Sequence, residues 1–154
     1  MPCEVHRRLI EIPAEIRDEM VAHAVAGLPG ETCGFLAGLD GRVLALYPVR
    51  NEEEEQPRVR YTMHAEDRLR AESEIEDKGW AVTAIYHSHP LGPNHPSATD
   101  IKRAFWRNPG VDEVVALYPD TLYVIVSLMD RGNPEVRAFH LTQDDFQEED
   151  VMVS

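Results

Sequence analysis

Apolar residues recur along this chain with helical spacing in three stretches. Residues 13–28 carry apolar side chains three and four positions apart, which places them on one face of a helix. These side chains are Ile16, Met20, Val21, Ala24 and Val25. Pro29 and Gly30 then end the helix. A narrower apolar stripe predicts a second helix over residues 64–79, and a shorter pattern predicts a third over residues 97–108.

Short apolar runs bounded by glycine, proline or aspartate predict the strands. They cover residues 4–12, 33–39, 42–51, 58–63, 80–89, 114–118, 122–129 and 135–142. Asp40 and Gly41 join two of these runs as a hairpin turn. The run over residues 80–89 is almost continuously apolar, which is typical of a central strand buried on both faces. Helices interspersed among strands indicate an α/β fold of the α+β type, with a single mixed β-sheet flanked by helices.

The length of the chain predicts one domain. Its 154 residues are enough for a self-sufficient core but not for two. We expect residues 1–142 to form that domain. Residues 143–154 are acidic with few apolar anchors, and we expect them to be a loosely ordered tail.

The charge balance argues against two classes of partner. With 28 acidic and 15 basic side chains the net charge is −13, whereas nucleic acids and anionic membranes are bound by basic surfaces. The N-terminus lacks the apolar core of a signal peptide, and no apolar run is long enough to span a bilayer. The two cysteines, Cys3 and Cys33, form no disulfide framework. We therefore expect a cytoplasmic, reducing location.

Candidate metal-ligating residues lie at the end of the central strand and shortly after it. His87 and His89 are two positions apart, so a strand directs both imidazoles to the same side. A loop rich in proline and glycine leads to Ser97 and Asp100 at the start of the third helix. Two imidazoles and one carboxylate can hold a catalytic zinc with an open position for water, which is a hydrolytic arrangement. Alternatively, Ser97 and Asp100 form an ordinary capping box and the histidines are surface or core residues.

These residues together resemble the motif of the JAMM, or MPN-plus, metalloproteases. His87 opens the sequence HSHP, His89 is its second histidine, and Ser97 and Asp100 follow at the spacing of that family. Glu31 opens ETCGFLAG, which is similar to the family's upstream glutamate block. The resemblance covers most of the chain and is closest to compact prokaryotic members, because the insertions of linkage-specific members are missing. It implies the MPN fold, with an architecture like that of the cytidine deaminases.

The resemblance also implies a mechanism and a substrate class. One Zn²⁺ per chain would be bound by His87, His89 and Asp100, with Glu31 as general base and Ser97 as hydrogen-bond donor to the oxyanion. The substrate would be a peptide or isopeptide bond after the C-terminal Gly-Gly of a ubiquitin-like protein. In compact prokaryotic members this class includes sulfur-carrier proteins, from which cysteine or another adduct is released.

Several alternatives remain open at this point. The chain could be a non-catalytic MPN scaffold that binds a partner, or a peptidase of another amide, such as a cell-wall or phage-tail peptide. Gly34 and Gly38 could admit an extended substrate by strand addition, or they could serve tight packing. Cys33 could be a nucleophile or a small buried residue. His95 could contact substrate or simply face solvent.

Overall fold

The computed structural model describes residues 7–107, 109–110 and 112–154. Its elements in chain order are β1 (Leu9–Ile12), α1 (Ala14–Ala26), β2 (Cys33–Leu39), β3 (Arg42–Val49), α2 (Ala65–Asp77), β4 (Ala81–His89), α3 (Ala98–Arg103), β5 (Phe105–Arg107), β6 (Val114–Ala116), β7 (Leu122–Ser127), β8 (Glu135–Leu141) and β9 (Phe146–Val153). Cys3, Asn108 and the first three residues of the predicted strand over residues 4–12 lie outside the described residues.

Seven strands form one mixed sheet that closes on itself. The strand order is β1-β3-β2-β4-β7-β8-β9, and β1 pairs with β9 to complete the barrel. The pairs β1–β3, β1–β9 and β4–β7 are parallel, and the remaining pairs in the barrel are antiparallel. The predicted mixed α+β fold is confirmed. The prediction of a single sheet is incomplete, because β5 and β6 form a separate two-stranded sheet.

The core consists of two apolar clusters on opposite faces of the sheet. One cluster contains Met20 of α1 and Tyr86 of β4, and the other contains Ile75 of α2 and Ile85 of β4. Successive residues of β4 therefore enter different clusters, as predicted for a central strand buried on both faces. None of the described helices is both long and apolar enough to cross a bilayer.

The C-terminal segment is a strand, so the expectation of a loosely ordered tail is wrong. The first half of β9 pairs with β8 and the second half pairs with β1. Phe146 packs edge-on against Phe139 at 5.5 Å between ring centroids, and Val151 packs on the core. The Glu149 carboxylate, which is buried, accepts a hydrogen bond from the backbone N–H of Arg8. Backbone pairing on two sides thus orders a segment whose acidic composition is typical of disorder.

Two further boundaries differ from the prediction. Residues 58–63 do not form a strand: residues 58 and 59 lie in a turn, residues 60–62 are irregular, and one isolated bridge joins Met63 to Asn51. Helix α3 ends at Arg103, because residues 105–107 pair with β6.

The two glycines of β2 serve tight packing. A Cβ atom on Gly34 would lie 2.4 Å from the carbonyl oxygen of Tyr47 and 2.6 Å from the ring of Tyr86. A Cβ atom on Gly38 would lie 1.8 Å from the carbonyl oxygen of Arg42. Because β2 is paired on both edges, it offers no free edge for strand addition by a substrate. Of the two alternatives raised by the sequence, the structure supports packing.

Candidate metal centre

The end of β4 brings two imidazoles together. His87 and His89 project from the same face of the strand, and their Nε2 atoms lie 3.0 Å apart. Both side chains are buried, at 1% and 6% exposure. Ser88, between them, points the other way, and its hydroxyl accepts a hydrogen bond from the backbone N–H of Thr32 at 2.8 Å. This bond ties the end of β4 to the residue that follows Glu31.

The first turn of α3 adds a carboxylate to the imidazoles. Asp100 Oδ2 lies 3.1 Å from His87 Nε2 and 3.2 Å from His89 Nε2. The capping box is also present: Ser97 Oγ accepts from the Asp100 backbone N–H, and the Ser97 backbone N–H donates to Asp100 Oδ2 at 2.9 Å. The capping and ligand interpretations are therefore compatible, because the cap fixes the carboxylate in the position where it faces the histidines.

Glu31 completes the cluster from the residues just before β2. One side-chain oxygen or nitrogen from each of Glu31, His87, His89 and Asp100 lies within 4.8 Å of the other three. Glu31 is 5% exposed, and its Oε1 has no hydrogen-bond partner among the described residues. Burial raises the pKa of Glu31 to about 8; His89 opposes this shift and Asp100 adds to it. The carboxyl can therefore exchange a proton near neutral pH.

The donor atoms fit a divalent metal ion. His89 Nδ1 lies 2.8 Å from the carbonyl oxygen of Pro93, which can only accept, so the neutral ring carries its proton on Nδ1. The lone pair of Nε2 then faces the cluster. Burial alone would raise the pKa of Asp100, but the two histidines and the Ser97 N–H hold it well below its ordinary value. An ionised carboxylate and two imidazoles that converge in a buried site are the ligand types that zinc prefers.

The segment between β3 and α2 supports this cluster, and its residues were missed by the sequence interpretation. The ring of Tyr61 stacks on His87, with centroids 4.7 Å apart and planes at 30°. The side-chain amide of Asn51 donates to the carbonyl oxygens of Glu31 and Arg60, and its oxygen accepts from the N–H groups of Glu53 and Thr62. No local pattern marks these residues, because their contacts arise only from the tertiary fold.

Cys33 and His95, whose roles the sequence leaves undecided, lie outside the cluster. Cys33 is fully buried, its Sγ–H donates to the carbonyl oxygen of Val49, and burial raises its pKa to about 12. Such a thiol is a poor nucleophile at neutral pH. The ring of His95 stacks on Phe146 with centroids 5.7 Å apart and planes at 7°.

A cavity of about 380 Å³ opens beside the cluster. Glu31, His89 and Ser97 line its inner end. The other lining residues are 58–59, 90–93 and His95. The volume is in the range of small-molecule sites, so a small group could reach the Glu31 carboxyl through this opening.

Comparisons with known proteins agree with the motif. The family model described as prokaryotic homologs of the JAB domain matches residues 13–142. A protein of Haloferax volcanii named desampylase is 36% identical over 150 residues, which cover 94% of this chain and 96% of that protein. A protein of Mycobacterium tuberculosis named CysO-cysteine peptidase is 32% identical over 147 residues, covering 94% of this chain and 91% of that protein.

A solved structure shares the fold. The solution structure of a protein from Desulfitobacterium hafniense aligns with a TM-score of 0.78 at 30% sequence identity. The alignment covers 94% of this chain and 92% of that chain.

Proposed function

This chain belongs to the family of prokaryotic JAB-domain proteins, and on that premise we propose that it is a zinc-dependent metallopeptidase. It hydrolyses the peptide or isopeptide bond after the C-terminal Gly-Gly of a ubiquitin-like or sulfur-carrier protein. The observation that carries the proposal is the buried cluster of Glu31, His87, His89 and Asp100, all within 4.8 Å. The names of two relatives, a desampylase and a CysO-cysteine peptidase, support the substrate class.

Three residues of the cluster would hold the metal. His87 and His89 would supply Nε2 lone pairs and Asp100 would supply Oδ2, since these atoms lie 3.0 to 3.2 Å from one another. When bound there, zinc supplies Lewis-acid chemistry, polarising a carbonyl group and lowering the pKa of water to about 7. The Pro93 carbonyl and the Ser97 N–H orient two of the ligands, as outer partners commonly do at metal sites.

Glu31 moves the proton. With a pKa of about 8 in the metal-free protein and a side-chain oxygen free of partners among the described residues, its carboxyl can accept the proton of the attacking water. It then gives that proton to the departing amine. A positive ion in the cluster favours the ionised form, which is the form that acts as base.

Ser97 stabilises the charge that develops on the carbonyl oxygen. Its Oγ accepts a hydrogen bond from the Asp100 N–H, and its own hydroxyl hydrogen remains available to donate. It lines the cavity together with Glu31 and His89. A donor held at that position lowers the energy of a tetrahedral oxyanion.

Two parts of the sequence interpretation stay predictions. A cytoplasmic location accords with the free, buried thiol of Cys33, and the architecture like that of the cytidine deaminases follows from the family resemblance.

The scaffold alternative is weakened because the cluster is complete, whereas a scaffold needs no metal ligands.

Cleavage of a defined carrier tests the proposal. The substrate is a ubiquitin-like sulfur carrier extended by one cysteine beyond its terminal Gly-Gly, and the product is followed by intact-mass spectrometry. The zinc-loaded protein should remove the cysteine, and the Glu31→Gln variant should keep its zinc but lose at least about 10²-fold in rate. Glu52→Gln, which removes an exposed carboxylate, is the matched control.

Two results would contradict the proposal. Undiminished cleavage by Glu31→Gln would remove the general base from the mechanism. A zinc-loaded wild-type protein that leaves the carrier intact would favour the scaffold or a different amide substrate.

A further inference from the structure

One arginine stands at the cavity beside the catalytic cluster. Arg58 lines the same cavity as Glu31, His89 and Ser97, and it is the only lysine or arginine among its described lining residues. It is exposed, and none of the salt bridges among the described residues involves it. Its guanidinium is therefore available to a ligand.

The neighbouring arginines are already paired. Arg60 contacts Glu53 at 3.1 Å and Glu55 at 3.3 Å, and Arg103 contacts Glu53 at 3.7 Å. The acidic side chains of this segment thus neutralise other cations and leave Arg58 free. The contrast matters because an exposed arginine alone is unremarkable, whereas an unpaired one that shares a cavity with a catalytic carboxyl can select a substrate.

The rest of the cavity wall is mainly apolar. Val59 and Leu91 are 61% and 78% exposed, and Pro90 and Pro93 also line the cavity. A ligand that fits has an apolar or small side chain and one negative group. Because the chain carries a net charge of −13, an anion near Glu31 and Asp100 would be repelled unless a cation lay close to it.

We infer that Arg58 binds the free α-carboxylate of a single amino acid attached to the C-terminal glycine of the carrier. The cavity then receives the departing amino acid, and its side chain rests against Val59 and Leu91. This inference rests on the proposed function and narrows it. The preferred substrate is a carrier whose C-terminal glycine is joined to the α-amine of a single amino acid. An isopeptide is disfavoured because its leaving group is the ε-amine of a lysine within a protein chain. The α-carboxyl group of that lysine is part of a peptide bond and carries no negative charge.

The reaction itself is ordinary hydrolysis. The C–N bond between the glycine carbonyl and the amino acid breaks, the oxygen of water joins the glycine carbonyl carbon, and Glu31 transfers a proton to the amine. The carrier ends in a free glycine carboxylate, and the amino acid leaves with its α-carboxylate unchanged. Arg58 touches only that carboxylate, so it is a specificity-determining residue and takes no part in the bond changes.

The test compares two substrates that differ by one charge. One is the sulfur carrier extended by cysteine with a free carboxylate, and the other is the same protein ending in cysteine amide. The ratio of their kcat/KM values is measured with the zinc-loaded wild type, with Arg58→Gln and with Arg58→Lys. Arg70→Gln is the matched control, because Arg70 is an exposed arginine of α2 outside the cavity.

The wild type should prefer the carboxylate substrate by roughly tenfold, the size expected of a partly exposed charge-assisted hydrogen bond. Arg58→Gln should abolish this preference by slowing the carboxylate substrate alone, Arg58→Lys should retain part of it, and Arg70→Gln should leave it unchanged. The inference is overturned if Arg58→Gln slows both substrates equally or neither. If the wild type cleaves neither substrate, the proposed function fails and the inference fails with it.

Discussion

The proton on the ring of His89 is placed by one carbonyl group. The Pro93 carbonyl oxygen can only accept a hydrogen bond, so Nδ1 of His89 carries the proton. The other ring nitrogen, Nε2, is left with a lone pair beside His87 and Asp100. A backbone group also orients Asp100: its Oδ2 accepts a hydrogen bond from the Ser97 N–H and faces both imidazoles. At the residue scale, the site is built by backbone groups that fix which side-chain atoms remain available to a metal.

Replacing Asp100 by asparagine separates its charge from its capping role. The amide oxygen can still accept from the Ser97 N–H, so α3 should form normally, but the negative ligand is lost. We expect Asp100→Asn to weaken zinc binding by at least about tenfold, because two neutral imidazoles attract a divalent cation less than a set with a carboxylate does. Competition with a fluorescent chelator measures the affinity.

Ser97→Ala provides the control for this variant. It removes the cap hydroxyl but none of the three proposed ligand atoms, so its zinc affinity should change much less than that of Asp100→Asn. Equal affinities of wild type and Asp100→Asn would show that Asp100 serves only as a helix cap.

At the scale of elements, the segment between β3 and α2 holds Glu31, the proposed general base, in place. Asn51 uses its whole side-chain amide to join Glu31 to this irregular segment, which contains no strand or helix of its own. The segment also carries Tyr61, which stacks on His87, and Arg58, which lines the cavity. The Asn51 amide and the hydrogen bond from the Glu31 N–H to the Pro57 carbonyl oxygen together join this segment to Glu31.

We predict that Asn51→Ala destabilises this arrangement. It leaves two carbonyl oxygens and two N–H groups without their partner, which should cost about 2 kcal/mol, or about 4–8 °C in melting temperature for a domain of this size. Cleavage of the carrier should fall as well, because Glu31 and Tyr61 lose their common support. Thermal unfolding and kcat/KM are measured together.

Gln56→Ala is the matched change in the same segment, since its exposed side chain makes no hydrogen bond with the described residues. It should leave both quantities close to those of the wild type. A melting temperature for Asn51→Ala within 1 °C of wild type would contradict the role given to Asn51.

Local patterns account for what could be predicted from the sequence. Strand alternation placed His87 and His89 on one side, and the capping box placed Asp100 at a helix start, because both features depend on near neighbours along the chain. Arg58 and Asn51 could not be found in this way, since their importance comes from residues distant in sequence. Strand β9, which contains Phe146, was missed because its sequence is acidic. It is ordered by pairing with β8 and β1, which are distant in sequence.

For the molecule as a whole, closure of the barrel makes the C-terminal strand part of the fold. Strand β9 lies between β8 and β1, and the backbone N–H of Ala14 donates to the carbonyl oxygen of Ser154. Every residue of β9 pairs with a residue of β8 or β1, whereas β1 pairs with β3 only at Glu11 and Arg42. The metal site then lies at one end of a rigid frame, where β4 and the helix α3 meet.

The metal-free protein should lose stability as pH rises, because its cluster retains protons. Burial raises the pKa of Glu31 from an ordinary 4.5 to about 8. Burial alone would lower the pKa of His89, but its hydrogen bonds to Asp100 and Pro93 raise it above 6.5. These two residues bind more protons in the folded chain than in the unfolded chain between pH 5 and 8, and they outnumber half-buried His23, whose lowered pKa acts in the opposite direction. The free energy of unfolding therefore falls across that interval.

Zinc should reverse this trend, because the ion replaces the protons that the cluster otherwise holds. We expect the rise in melting temperature caused by zinc to be larger at pH 8 than at pH 5.5 by about 3 °C or more, the effect of about 1 kcal/mol in a domain of this size. Calorimetry of chelator-treated and zinc-loaded samples measures both values. Glu31→Gln removes one of the two titrations, so its metal-free form should depend less on pH. Equal rises at the two pH values would mean that metal and protons do not compete for the cluster.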